Sequence, residues 1–190
     1  MGAPLSVPVE KRLVFAHTIE GLFFKALKDR MTDRLRERVR TEAKIDLSQK
    51  LEPAVSITTW WKVLELCAAE LYPDWPMEDA LEEIGLVLTR GYFETLIGAA
   101  LKGILKVIGP SRALKRMDRS LRSGNNYAEI KVTELGPTRF RFWCNEVGTS
   151  RYVMLGLIGG GAEVAGAKNF HGEITAFDDE GVTIEVWWEA

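Results

Sequence analysis

Two histidines and two cysteines are the side chains best suited to metal or nucleophile chemistry in this chain of 190 residues. His17 and His171 stand near opposite ends, and neither has a Cys or His neighbour at ligand spacing. A zinc site needs several such donors close together, and a haem needs an axial donor facing a large apolar cavity. His171 falls into the alternation of a strand, so no metal ligand is expected. Cys67 and Cys144 have no nearby histidine in sequence, and no Gly-x-Ser-x-Gly elbow is present, so the pattern gives no nucleophile–base pair. Both cysteines lie in apolar stretches and read as buried thiols of a cytoplasmic protein.

Three further groups invite a binding reading. Gly159-Gly160-Gly161 lacks the Lys-Ser/Thr of a phosphate loop and its strand–loop–helix setting, so close helix packing explains it better. Arg112, Lys115, Arg116, Arg119 and Arg122 form a basic stripe broken only by Asp118. It suits phosphates or an acidic partner, with a solvated helix face as the ordinary alternative. Trp60, Trp61, Tyr92, Phe93, Leu96, Phe140, Phe142, Cys144 and Leu157 are candidates to line an apolar ligand pocket between helices and sheet. A filled core is the plainer reading of the same residues.

The formal net charge of -2 gives no global attraction to nucleic acid or anionic lipid. An apolar fraction of 46% suits a globular chain with one sizeable core. The most apolar window, Tyr92 to Ile108, carries Glu94, Lys102 and Lys106. It is shorter than the roughly 20 apolar residues of a membrane span, so a buried amphipathic helix is expected there.

The grammar of the chain changes at Ser123-Gly124-Asn125-Asn126-Tyr127. Before it, apolar residues recur at helical spacing; after it, they alternate. Residues 1–12 read as a flexible arm and Leu13–Phe15 as an edge strand. Helices follow, capped by Thr18, by Thr32, and by Thr58 or Thr59. Tyr72-Pro73-Asp74-Trp75-Pro76 breaks the series. The next helix begins near Met77, and a central helix over 92–108 continues it. Gly109-Pro110 stops that helix, and Ser111 caps a basic helix to Arg122. Residues 130–133 and 139–144 form a hairpin, 150–166 a Gly-rich helix, and 170–177 with 182–188 a second hairpin. Asn125 and Asn126 serve the turn.

Several strings resemble an uncharacterised family of about this length from myxobacteria, a domain of unknown function. They include Leu71-Tyr72-Pro73, Gly91-Tyr92-Phe93-Glu94-Thr95-Leu96-Ile97-Gly98, Gly109-Pro110 and Arg119-Ser120-Leu121-Arg122-Ser123-Gly124-Asn125-Asn126-Tyr127. Asn145-Glu146-Val147-Gly148 and Gly156-Leu157-Ile158 continue the match over roughly 13–188. The order of elements from Gly91 onward is also similar to the ligand-binding fold of haem-nitric-oxide sensors, 4-vinyl-reductase-type domains and Bet3-like tethering subunits. That likeness implies a helical layer on a twisted antiparallel sheet, an apolar pocket between them, and dimers. The chain departs from the haem members in lacking a Tyr-x-Ser-x-Arg motif and any histidine within 18–170.

The expected fold is α+β: a helical layer (13–123) packed on a four-stranded antiparallel sheet (124–190) with a Gly-rich crossover helix, in one domain over 13–190. The expected function is a non-enzymatic sensory or adaptor domain of bacterial signalling that binds a small apolar ligand. It needs no metal or cofactor, spans no membrane, and pairs with itself or a protein partner. A ligand-free interaction or dimerisation module is the alternative.

Overall fold

The computed structural model describes residues 7–94, 96–117 and 121–189. Strand β1, Leu13–Phe15, pairs antiparallel with β2, Ala54–Ser56. Its other edge is covered as well. Phe15 N–H donates to the Gly124 carbonyl, Asn126 N–H donates to the Leu13 carbonyl, and Val14 bridges Asn125. The expected edge strand is thus one of two in its sheet, and the asparagine turn adds an isolated bridge on its other side. Of the expected arm, residues 1–6 lie outside the described residues. Val9–Lys11 forms a 3-10 turn, and Arg12 is buried at its end.

The helical layer follows its apolar periodicity. Helix α1, Ala16–Glu20, runs into a π-turn over Gly21–Ala26 that buries Leu22 and Phe23. Thr18 does not cap it; its hydroxyl donates to the Gly124 carbonyl. Thr32 does cap α2, Asp33–Glu42, by accepting from Leu35 N–H. Ser56, two residues before the first of the expected caps, plays that part for α3, Ile57–Leu71, and accepts from Thr59 N–H. Each such cap contributes about 1 kcal/mol.

Helix α4, Met77–Phe93, and helix α5, Leu96–Ile108, do not form one rod: their axes meet at 104°. Here the structure corrects the sequence. The apolar spacing over 92–108 predicts a central helix, yet most of α5 lies on the surface, with Ile104 56% and Val107 85% exposed. Gly109, at φ 77°, turns the chain into α6, Pro110–Leu114, with Pro110 in its first turn. Ser111 is inside α6 rather than its cap, and its hydroxyl donates to the Pro137 carbonyl.

Strands β3 (Ile130–Gly136), β4 (Arg139–Cys144), β5 (Lys168–Phe177) and β6 (Val182–Glu189) form an antiparallel sheet in the order β3-β4-β6-β5. Phe142 faces Ile184 and Cys144 faces Val182 across β4–β6, and all four are buried. The crossover helix α7, Ser150–Val164, lies on that face through Met154, Leu155, Ile158 and Ala162. Buried side chains gather in two clusters, one in the helical layer and one on the sheet. Leu157 of α7 touches both. Burial of a phenylalanine such as Phe140 or Phe142 contributes roughly 2–3 kcal/mol.

What joins the layers is a contact of backbones. A Cβ on Gly85 would overlap the Val153 carbonyl, and one on Gly156 would overlap the Glu82 carbonyl. One turn further, a Cβ on Gly160 would stand 2.8 Å from Thr89 Cβ. On the other side of α4, Gly91 is pressed on Ala26. Glycine is a poor helix former, so its density in α7 is explained by this approach. Gly85→Ala or Gly156→Ala should lower stability in denaturant unfolding by roughly 3 kcal/mol, as overpacking does. Gly103→Ala, with open space around it in α5, should instead be neutral or stabilising by up to about 1 kcal/mol.

Candidate functional site

The described pocket candidates do not surround one cavity. Trp60 belongs to the helical cluster; Phe140, Phe142 and Cys144 are fully buried in the sheet cluster. Phe93 is buried while Tyr92 is 42% exposed, with the two rings edge to face at 5.3 Å. Leu157 fills the seam between clusters. The Leu96 side chain lies outside the described residues. Trp61 packs over the bare Cα of Gly148, and its indole N–H donates to Ser150 Oγ at 3.0 Å. Of the best-formed cavities among the described residues, both are open clefts in the helical layer. One of about 500 Å³ is lined by Asp74, Trp75, Pro76, Asp79, Glu82, Glu83 and Leu86. The other, of about 320 Å³, is lined by Phe23, Phe24, Lys28, Met31, Arg36 and Leu47.

The basic stripe is likewise divided. Arg112, Arg116 and Arg122 are exposed, while Lys115 pairs with Glu134 at 2.6 Å and sits over the Phe140 ring. Arg119 lies outside the described residues. The histidines face away from the interlayer seam: exposed His17 tilts against Phe15, and exposed His171 stacks on Trp187 across β5–β6.

Sequence reasoning missed a buried polar joint where the helices, β4 and α7 meet. Tyr127 hydroxyl donates to Glu146 Oε1 at 2.9 Å, and Ser150 Oγ lies 2.6 Å from Oε2. Arg12 guanidinium lies 5.1 Å over the Tyr127 ring and donates to the Asn145 carbonyl at 2.7 Å. Asn145 in turn donates to the Tyr127 carbonyl and accepts from Glu129 N–H. Nearby, Thr149 hydroxyl donates to Glu65 of α3. Among the described residues no buried side-chain nitrogen or oxygen lacks a partner. The available signal was Asn145-Glu146 placed directly after a strand, two polar residues where the chain must turn inward.

Chemically this joint is closed. Glu146 is 4% exposed, and burial raises its pKa from the ordinary 4.5 against the opposing pull of Ser150, Tyr127 and Arg12. A substrate has no route to Ser150 or Tyr127. The thiols are also shut in: burial pushes Cys67 up to about 12, and burial followed by the charge of Glu146 raises Cys144.

The family described as "Protein of unknown function (DUF2378)" matches residues 12–189. A search of curated proteins finds no match. Among solved structures, the unliganded Fe(II) H-NOX protein from K. algicida is similar, with TM-score 0.63 and 13% identity over 91% of this chain and 95% of its own. The H-NOX protein from S. oneidensis in the Fe(II)NO state gives 0.57 and 14%, over 90% and 99%. An oxygen-binding H-NOX domain related to soluble guanylate cyclases gives 0.59 and 11%, over 91% and 94%. These likenesses establish an H-NOX-like α+β fold.

Two outcomes follow from the joint and the thiols. Folded Glu146 holds its proton more tightly than unfolded Glu146, so its contribution to stability falls as pH rises from about 4.5 through its raised folded value. Glu146→Gln, whose amide oxygen still accepts from Tyr127 while its NH2 donates toward Ser150 Oγ, should lose that slope; Glu146→Ala should cost about 2 kcal/mol at all pH, measured by urea unfolding. At neutral pH both thiols should resist a thiol reagent and react together once the chain is unfolded.

Proposed function

This chain belongs to the DUF2378 family, and we propose that it is a non-enzymatic sensory or adaptor domain of bacterial signalling, built on the H-NOX-like fold and working without haem. The observation that carries this reading is the closed seam between its layers. The backbones of α4 and α7 meet through Gly85 and Gly156, and Phe140, Phe142 and Ile158 fill the sheet side.

The haem of similar solved structures does not suit these residues. An axial donor must project into the space that holds the macrocycle. Both histidines of the chain lie elsewhere, at the β1–α1 junction and on the outer side of β5. Cys67 and Cys144 are locked in separate clusters.

A small ligand is supported by a different feature, the cleft of about 320 Å³ in the helical layer. Phe23, Phe24, Met31 and Leu47 offer an apolar wall, and Lys28 and Arg36 stand at its rim. Such a lining suits an apolar body with an anionic head. The absence of an accessible nucleophile or base in the joint supports a binding role over catalysis.

Native mass spectrometry separates these possibilities. Incubation with haemin should give no stoichiometric complex and no sharp Soret band. Incubation with dodecanoate should give a 1:1 adduct that Met31→Glu abolishes. A 1:1 haem complex lost in a histidine variant would overturn the haem-free reading. Dodecanoate binding untouched by Met31→Glu would remove the cleft as its seat.

A further inference from the structure

The exposed helix α5 is the least explained surface of the molecule. Ala100, Ile104 and Val107 lie at i, i+4 and i+7, on the solvent side of the helix. Ile104 is 56% and Val107 85% exposed, the latter the most exposed of the large apolar side chains among the described residues. The rest of its apolar face, Leu101, Leu105 and Ile108, is half-buried and turned toward the protein. Lys102 and Lys106, one turn apart, are exposed along the polar edge.

Charge is as uneven as polarity. Residues 96–117 hold Lys102, Lys106, Arg112, Lys115 and Arg116 and no Asp or Glu, although the whole chain carries -2. Lys115 is paired with Glu134, while the other four have no ion-pair partner among the described residues. The cationic patch is thus local, and the near-neutral total hides it.

We propose that α5 is a docking helix that lies in the surface of an anionic lipid bilayer. A helix with an outward aliphatic stripe and flanking lysines is the pattern of an interfacial helix: the stripe sinks below the headgroups while the lysine stems reach back to the phosphates. At 13 residues α5 is too short to cross a bilayer, so it lies flat. A second copy is a poorer occupant. Pairing α5 with itself about a two-fold axis would set a cationic surface without carboxylates close to an identical one. The proposal goes beyond the sensory or adaptor reading and depends on neither the cleft nor the absence of haem.

Flotation with phosphatidylcholine vesicles, with and without phosphatidylserine, tests it. The protein should float with the phosphatidylserine vesicles, at least about tenfold less with phosphatidylcholine alone, and progressively less as salt is raised. Lys102→Glu/Lys106→Glu should lower binding by about tenfold or more. Ile104→Glu should do the same, and so, to a smaller extent, should Val107→Ser. These side chains are exposed, and unchanged circular dichroism and melting will show that the variants fold. Equal flotation with both vesicles, or flotation indifferent to the variants, overturns the proposal. So does a protein that ignores vesicles but forms a dimer, or binds a polyglutamate peptide, through the same residues. None of these outcomes bears on the haem or dodecanoate results.

Discussion

The architecture depends on how closely α4 and α7 approach. Helices that pack through side chains stay 8–10 Å apart; here glycine on both sides lets one backbone rest on the other. That contact fixes the height of the helical layer above the sheet. It lets Leu155 and Ile158 reach the inner strands, and Gly172 on β5 leaves room for the Leu155 tip. It also leaves α5 outside. With α7 occupying the sheet face and α4 turned away by 104°, the apolar continuation of the chain has only its inner edge left to bury.

A second constraint ties the chain's beginning to this seam. Arg12, Tyr127, Asn145, Glu146 and Ser150 form a buried polar joint in which every group has a partner. Such networks specify an arrangement as much as they stabilise it, because a half-satisfied alternative is costly. Asn126 reinforces the tie, accepting from Leu13 N–H and donating to the Lys11 carbonyl. The asparagines thus turn the chain and also hold β1. On the opposite face of the sheet Arg139 and Arg141 clasp Glu185 and hold its pKa below the ordinary value, Arg141 contributing most.

Function follows from where space and charge remain. The interlayer region that houses chemistry in many two-layer domains is filled here. Openings remain within the helical layer, and unmatched charge remains around α5. A binding role distributed over the outer surface is consistent with both. The net charge of the chain conveyed neither, because an average over 190 residues conceals a run of 22 without a carboxylate.

Local periodicity was enough to find the β3–β4 and β5–β6 hairpins, the Thr32 cap, the glycine-rich helix and the change of grammar at Ser123-Gly124-Asn125-Asn126-Tyr127. Each depends on neighbours a few residues away, and alternation or capping is written at that range. Whether Tyr92–Ile108 would be core or surface was not legible, since amphipathicity gives the width of an apolar face but not what covers it. Nor was the joint at Glu146, whose partners come from residues 12, 127 and 150. The candidate pocket failed to assemble for a related reason: aromatic side chains suited to lining a cavity are equally suited to filling it. The sequence by itself determined the elements, their order and the need for close helix packing. Only the tertiary structure decided which faces met, because the partners in the α4–α7 contact, Gly85 with Val153 and Gly156 with Glu82, lie about 70 residues apart in the chain.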